Sequence, residues 1–296
     1  MTSVIRLGYA AVNTRLPSAN RTFRLSRYTE ERMLETAASN VDALEAIVRW
    51  NADHGIEVFR VGSGLIPFGS HPVNRHRWQR ALAERLASVG AFARERGMRL
   101  SMHPGRYTVL NALSENALQA SLEDLSYHTT VLELLGGEPD WRIVLHCGGA
   151  YGDKTCALSR LEQRYGALPG RVRRRLAFEN DETVCTASDV LRLCARVGAP
   201  AVFDVFHHAV NPSMPDKTVR EVVEAFSSTW PAEERQKIHY SDQQAGKPPG
   251  AHSEHVDVEA FARLHDDLAG LELDVVLEVK DKEQSVLDVV GRVGIR

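Results

Sequence analysis

Residues 142–146 read RIVLH, a short apolar run that stops at a histidine. The same pattern recurs along the chain, and each run stops at a histidine or a carboxylate. The runs end at His103, His146, Glu179, Asp204, His239 and Glu278. Apolar runs of about four to eight residues are typical of buried parallel strands. We therefore predict six strands that each present a metal-binding type of side chain at the C-terminal end.

Strand-like and helix-like segments alternate along the whole sequence and give eight strand–helix units. Alternating units imply a parallel sheet with right-handed crossovers. In a chain of 296 residues, eight units predict an α/β fold, a single (β/α)8 TIM barrel that spans residues 1–296 as one domain. In such a barrel, the C-terminal ends of the strands carry the active site. The main alternative is a doubly wound open sheet, but no G-x-G-x-x-G follows the first strand.

The composition is that of an ordinary globular protein, with 43% hydrophobic and 25% charged residues and a net charge of −3. This charge argues against a protein that binds nucleic acid by bulk positive charge. It leaves a phosphate substrate open, because bound divalent ions add local positive charge.

Four cysteines are present and none forms a C-x-x-C pair, so we expect reduced thiols and a cytoplasmic location. We see neither a signal peptide nor an apolar run near the ~20 residues that span a bilayer. No partner surface is evident in the sequence, so a monomer is the default expectation.

Imidazoles and carboxylates together suit divalent zinc, manganese or iron-type ions. Glu179 has two oxygens and can bridge two ions. His207 follows Asp204 by three residues, so both can reach the same bowl beyond the strand. A single strand-end histidine is more often a core or loop residue, but the joint pattern favours a metal cluster. Clusters of two or more ions suit in-line displacement at phosphorus.

Two lysines lie near the predicted site. Lys237 precedes His239 by two residues, so both side chains face the barrel interior. It is expected to bind phosphate, to pair with a carboxylate, or to be a modified metal ligand. Lys280 follows Glu278 by two residues and is a candidate for a phosphate or transition-state contact, with a salt bridge as the alternative.

Two loops contribute candidates for the rim of the barrel. Residues 103–107 read HPGRY, and the Pro-Gly turn is expected to thrust Arg106 and Tyr107 outward over the mouth. An exposed Arg–Tyr pair can stack on bases or wedge between them, although a packed loop is the alternative. The loop at residues 66–72 carries His71, which can line the same rim.

From residue 5 to residue 284 the chain resembles the UV damage endonuclease family. Its members are TIM-barrel nucleases related in fold to endonuclease IV. The matching stretches are IRLGY, NADHGIEVFRVGSGLIPFGSHP, RLSMHPGRY, VLHCGGAYGDK, LAFENDE, VFDVFHHAVNP, KIHYSDQ, PGAHSEH and VLEVKDKEQ. The resemblance implies a metal-dependent enzyme that incises double-stranded DNA immediately 5′ to cyclobutane dimers, 6–4 photoproducts and, as an open question, abasic sites. The products would carry a 3′-hydroxyl and a 5′-phosphate.

The resemblance also implies roles for individual residues. The family's metal ligands correspond to His103, His146, Glu179, Asp204, His207, His239, His252 and Glu278. His252 is implied by the resemblance alone. Catalytic roles are expected for Glu179, Glu278, Lys237 and Lys280; among the lysines, Lys237 also matches a family position, and Lys280 is chosen from its place two residues after Glu278. Lesion contacts fall to Tyr9, Asn13, His71, Arg106 and Tyr107. Two or three divalent ions are expected, with Mn²⁺ first and Zn²⁺, Mg²⁺ or Co²⁺ open.

The sequence departs from related patterns at two positions. Many family members carry Gln where this chain has Arg106. In endonuclease IV an acidic ligand precedes the counterpart of His252 by two residues, and here that position is Gly250. A third ion is therefore expected to have fewer protein ligands.

Two other functions remain open from the sequence. One is a sugar isomerase, which uses carboxylate–histidine metal pairs on the same barrel but needs a closed polar pocket. The other is a non-catalytic damage sensor, which would not need so many ligands. Fold alone does not decide among them.

Overall fold

The strands form a closed parallel barrel in the computed structural model, which describes residues 5–75 and 78–294. Neighbours along the chain pair in order from β1 to β8, and β8 pairs with β1 to close the barrel. The strands are β1 Ile5–Ala11, β2 Val58–Val61, β3 Arg99–Met102, β4 Ile143–His146, β5 Leu176–Glu179, β6 Ala201–Asp204, β7 Gln236–Tyr240 and β8 Leu273–Leu277. The predicted TIM barrel is confirmed.

Helices follow each strand and cover the outside of the barrel. They are α1 Glu30–Asp53, α2 Trp78–Glu95, α3 Glu115–Leu134, α4 Lys154–Ala167, α5 Gly170–Arg173, α6 Ala187–Val197, α7 Val205–Val210, α8 Val219–Ser227, α9 Val258–Asp267 and α10 Glu283–Val293. Capping residues fix several helix starts. Thr186 and Asp189 form a capping box at α6, and Thr218 and Glu221 form one at α8.

A continuous apolar core lies between the barrel and its helices, and the side chains that face it are almost fully buried. Polar residues close the N-terminal end of the barrel. Asp274 is fully buried there and accepts hydrogen bonds from Arg6 Nε at 2.7 Å and Arg99 Nη1 at 2.8 Å. Arg142 pairs with Glu234 beside them. We call these five residues the basal charge network.

Strand register determines which side chains meet at the C-terminal end. His146 is in register with Glu179, and Asp204 is in register with His239. The backbone N–H of Glu278 donates to the carbonyl of Tyr240 at 2.8 Å, which places Glu278 beside the end of β7. The barrel therefore gathers residues far apart in sequence at one mouth.

None of the helices in the described ranges combines the length and apolarity needed to cross a bilayer.

Candidate metal centre

Glu179 lies at the middle of the C-terminal mouth and is fully buried. Its Oε2 lies 2.8 Å from His103 Nε2 and 3.9 Å from His146 Nε2. Its Oε1 lies 2.7 Å from His239 Nδ1, which is also 3.0 Å from Glu278 Oε1. One carboxylate thus lies close to side chains from β4, from β7 and from the residue directly after β3.

Two groups of potential ligands share this carboxylate. The first is His103, His146 and Glu179, and the second is Glu179, Asp204, His239 and Glu278. In each group the ligand atoms lie within 4.8 Å of one another. Mixed nitrogen and oxygen donors of this kind suit divalent transition metals. The arrangement fits the expectation that Glu179 bridges two ions.

Several buried polar atoms in these groups have no hydrogen-bond partner among the described residues. They are His146 Nδ1, Asp204 Oδ2 and His239 Nε2. Leaving such a buried atom unpaired costs about 1–3 kcal/mol. The other oxygen of Asp204 is occupied, because Oδ1 accepts from the backbone N–H of His207 at 2.7 Å and caps α7. A bound cation would supply the missing partner of Asp204 Oδ2, so the donor set passes this test for a metal centre at Asp204.

The charges of the centre are strongly coupled. Burial opposes ionisation of Glu179, but His239, His146 and His103 hold its pKa well below the usual range. Burial raises the pKa of Asp204 to about 7, and the nearby carboxylates Glu179 and Glu278 add to this. Although burial opposes protonation of His239, the same two carboxylates raise its pKa to about 9. Glu179 and Glu278 thus stabilise positive charge on His239, and a divalent ion bound between the carboxylates would take the place of that proton.

His207 and His252 form a neighbouring pair, with ring centroids 5.7 Å apart. His207 Nδ1 lies 3.0 Å from the carbonyl of Asn180, and His252 Nδ1 lies 2.8 Å from the carbonyl of Glu278. A carbonyl on one ring nitrogen fixes the proton there and leaves the other nitrogen as a ligand. Both Nε2 atoms are therefore suited to bind metal.

The rim carries the expected loop residues. Arg106 and Tyr107 extend from the loop after β3, with 63% of the Arg106 side chain and 72% of Tyr107 exposed. His71 is exposed, and together with Tyr107 and Phe68 it lines a cavity of about 460 Å³. The structure places these residues at the mouth, where a packed loop was the alternative for Arg106 and Tyr107.

Two expected lesion contacts are not at the surface. Tyr9 is fully buried, and its hydroxyl donates to Asn51 Oδ1 at 2.7 Å. Asn13 is also buried and donates from Nδ2 to the Tyr9 hydroxyl at 2.9 Å. Asn51 belongs to α1, so Tyr9 points from β1 towards this helix. The expectation that Tyr9 and Asn13 line the rim is therefore corrected.

The two lysines lie apart from the ligand groups. Lys237 is fully buried below them, and its Nζ has no hydrogen-bond partner among the described residues. Burial and the nearby Arg99 lower the pKa of Lys237 to about 7. Lys280 is half exposed and pairs with Glu254, with Nζ–Oε1 of 2.7 Å. For Lys280 the structure shows the salt bridge that was the alternative interpretation.

Two residues of the mouth were missed by sequence reasoning. Arg60 on β2 forms an ion pair with Glu278. Glu182 accepts a hydrogen bond from Arg106, with Nη1–Oε1 of 2.5 Å. An arginine inside the apolar run of β2 and a second glutamate three residues after Glu179 were the available signals.

Comparisons with known proteins agree on one family. The profile described as UV-endonuclease UvdE matches residues 5–294. The UV DNA damage endonuclease of Clostridium perfringens is 32% identical over 290 residues, which covers 97% of this chain and 70% of that protein. A putative UV-damage endonuclease of Acanthamoeba polyphaga mimivirus is 31% identical over 300 residues, which covers 96% of this chain and 90% of that protein.

Solved structures give the same result. The crystal structure of SacUVDE is 35% identical, covers 97% of both chains and has a TM-score of 0.92. Endonuclease IV from Thermus thermophilus is 12% identical, with a TM-score of 0.59 and coverage of 97% of this chain and 98% of that one. The second similarity shows a shared fold only.

Proposed function

The chain belongs to the UV-endonuclease UvdE family, and from this premise we propose that it uses bound divalent ions to incise the damaged strand immediately 5′ to UV photoproducts. The cut leaves a 3′-hydroxyl and a 5′-phosphate. The substrates are cyclobutane dimers and 6–4 photoproducts in double-stranded DNA, with abasic sites as a further candidate. The protein acts as a monomer in the cytoplasm, at the nucleoid.

The observation that supports this proposal most is the shared position of Glu179 in two ligand groups. Two or three ions would be held, with Mn²⁺ the first candidate and Zn²⁺, Mg²⁺ and Co²⁺ the alternatives. Bound by these ligands, such ions would supply an activated water and electrostatic stabilisation for a displacement at phosphorus. The ligands would be His103, His146, Glu179, Asp204, His207, His239, His252 and Glu278.

The protein's own contribution is to hold these donors in place. Asp204 is fixed because one of its oxygens caps α7. Arg60 holds the Glu278 carboxylate from β2, which lies on the other side of β1. Glu179 and Glu278 are the proposed catalytic carboxylates. Lys237 takes a supporting role below the centre, and Lys280 takes one at the rim as a phosphate contact.

The rim would read the lesion. A photodimer stacks poorly, so extruding it costs less than extruding normal bases, by about a few kcal/mol. Tyr107 offers an exposed ring that can stack in the gap, and Arg106 can lie on a base or bond to its edge. His71 extends the same surface. Tyr9 and Asn13 have no direct contact in this proposal because they are buried.

The test is incubation of the protein with a UV-irradiated supercoiled plasmid in Mn²⁺, with unirradiated plasmid and EDTA as controls. Nicking of the irradiated plasmid alone, and only with metal, is expected. An end-labelled duplex with one defined dimer then maps the cut, which should lie directly 5′ to the dimer with a ligatable 3′-hydroxyl. Damaged-DNA binding without nicking would identify a sensor and overturn the proposal. Equal nicking in EDTA would overturn its metal dependence.

A further inference from the structure

Glu182 and His207 present two unpartnered atoms to each other. Glu182 Oε2 and His207 Nε2 are buried, and neither has a hydrogen-bond partner among the described residues. They lie 3.6 Å apart, and the two side chains are 10% and 2% exposed. Buried polar atoms are nearly always paired, so a facing pair without partners requires an explanation.

The separation suits two ligands of one ion better than a hydrogen bond. Nitrogen–oxygen hydrogen bonds are about 2.7–3.2 Å long. Metal–nitrogen and metal–oxygen distances of about 2.0–2.2 Å place adjacent ligand atoms roughly 3.0 Å apart in an octahedral site and roughly 3.4 Å apart in a tetrahedral site. His207 is already oriented for this role, because its Nδ1 is held by the carbonyl of Asn180.

We propose that Glu182 is a ligand of the ion held by His207 and His252. The inference rests on the metal centre of the proposed function and adds a ligand to it. The carboxylate comes from the turn after β5, three residues beyond Glu179. The third ion then keeps a carboxylate although Gly250 offers none.

The position of Gly250 supports this assignment. A Cβ atom at Gly250 would lie 2.8 Å from Glu182 Cγ, closer than real contacts allow. The backbone there has a φ of +88°, which favours glycine. Glycine thus lets the loop that carries His252 pack directly on Glu182, and the side chains of Glu182 and His252 both lie beside His207.

The same carboxylate also contacts the rim. Glu182 Oε1 accepts from Arg106 Nη1 at 2.5 Å while Oε2 faces His207. Glu182 therefore links the ion to the arginine that we propose reads the lesion. This second contact supplies a matched control, because Arg106→Gln removes the ion pair between Arg106 and Glu182 but leaves the Glu182 carboxylate in place.

The experiment measures Mn²⁺ content and affinity in the full chain. Wild type, Glu182→Gln and Arg106→Gln are stripped with chelator, reloaded with Mn²⁺ and analysed by elemental analysis and by calorimetric titration. Glu182→Gln should retain one ion fewer per chain, or bind its weakest ion at least about tenfold less tightly. Arg106→Gln should match wild type in both measurements. In a His252→Ala background, adding Glu182→Gln should cause no further loss, because both act on one ion.

Other outcomes would contradict the inference or the proposed function. Unchanged Mn²⁺ content and affinity in Glu182→Gln would overturn the inference. An equal loss in Arg106→Gln would show that Glu182 acts only through the ion pair. A wild-type chain that binds no Mn²⁺, Zn²⁺, Mg²⁺ or Co²⁺ would instead overturn the proposed function. If Glu182→Gln fails to fold, Glu182→Asp gives the same readout, since it keeps the charge but withdraws the carboxylate by one methylene. Weaker binding of one ion is expected, and unchanged binding contradicts the inference.

Discussion

Both ends of the barrel are lined with buried charges, but the charges are arranged differently. In the basal charge network the carboxylates face arginines, and Asp274 accepts hydrogen bonds from two of them. At the C-terminal mouth Glu179 faces imidazoles, and Glu278 faces His239 as well as Arg60. Unpartnered buried atoms are frequent there, including His146 Nδ1, Asp204 Oδ2 and His239 Nε2.

This difference separates stability from function. A buried carboxylate that is paired with arginine on several sides closes the barrel, and breaking the pair leaves an uncompensated charge. Buried side-chain atoms with free lone pairs lower the stability of the fold. Such a set is expected at a functional site, where a bound ligand or ion supplies the missing partners. In a TIM barrel the N-terminal face serves stability and the C-terminal face serves catalysis, which agrees with this assignment.

The largest expected effect is at the mouth. Glu179→Gln should reduce incision of irradiated plasmid by about a thousandfold or more, because it removes a carboxylate shared by two ligand groups and several kcal/mol of charge stabilisation. The variant should still fold in EDTA, so that loss of nicking is separated from loss of structure. Nicking assays, metal analysis and denaturant unfolding test this. Near-normal nicking at ordinary Mn²⁺ concentrations would remove Glu179 from the centre.

The basal charge network should show the opposite pattern. Asp274→Asn is expected to lower the free energy of unfolding by about 3–5 kcal/mol, because Arg6 and Arg99 lose their buried partner. The folded variant should still bind its metals and nick damaged DNA. Denaturant unfolding and metal analysis are the measurements. Loss of metal from a well-folded variant would break the separation between the two ends.

Lys237 lies between the two ends, and its effect should depend on pH. Burial, with Arg99, lowers its pKa to about 7 from 10.5. The unfolded chain then binds the proton more readily between these values, so this residue makes stability rise with pH through that window. In EDTA, Lys237→Met should be more stable than wild type by up to about a few kcal/mol, most clearly near and below pH 7. The gain should shrink towards pH 10.5. Unfolding at several pH values tests this, and a gain that grows with pH would contradict it.

The sequence predicted the mouth better than its surroundings. Strand ends are marked by where apolar runs stop, and register then brings His146 to Glu179 and Asp204 to His239. The role of Glu182 depends on the packing of two loops, which no strand pattern encodes. Tyr9 was misplaced at the rim because the family resemblance gives its position in sequence but not the side of β1 on which it lies. Its hydroxyl reaches Asn51 on α1.

The rim should affect selectivity and leave metal binding unchanged. Tyr107→Ala should lose about 1–3 kcal/mol of discrimination between damaged and intact duplex, because the exposed ring no longer stacks in the gap. Elemental analysis should show wild-type metal content. The selectivity is the ratio of nicking rates on irradiated and unirradiated DNA. Full selectivity in the variant would move recognition to Arg106 or His71.

The smallest effect is expected for Lys280. Its Nζ is already bonded to Glu254 and to Gln244 Oε1, so a DNA phosphate must compete with these partners. As a phosphate contact, Lys280 should contribute about one unit to the slope of log affinity against log salt concentration. Lys280→Ala should remove that unit without changing lesion selectivity.

Glu254→Gln is the matched control, because it removes the carboxylate that pairs with Lys280 and keeps the charge of the lysine. It should bind irradiated duplex at least as tightly as wild type with an undiminished slope. If Lys280→Ala leaves the slope unchanged while Glu254→Gln behaves like wild type, Lys280 is only a surface ion pair, and the DNA phosphates bind elsewhere on the rim.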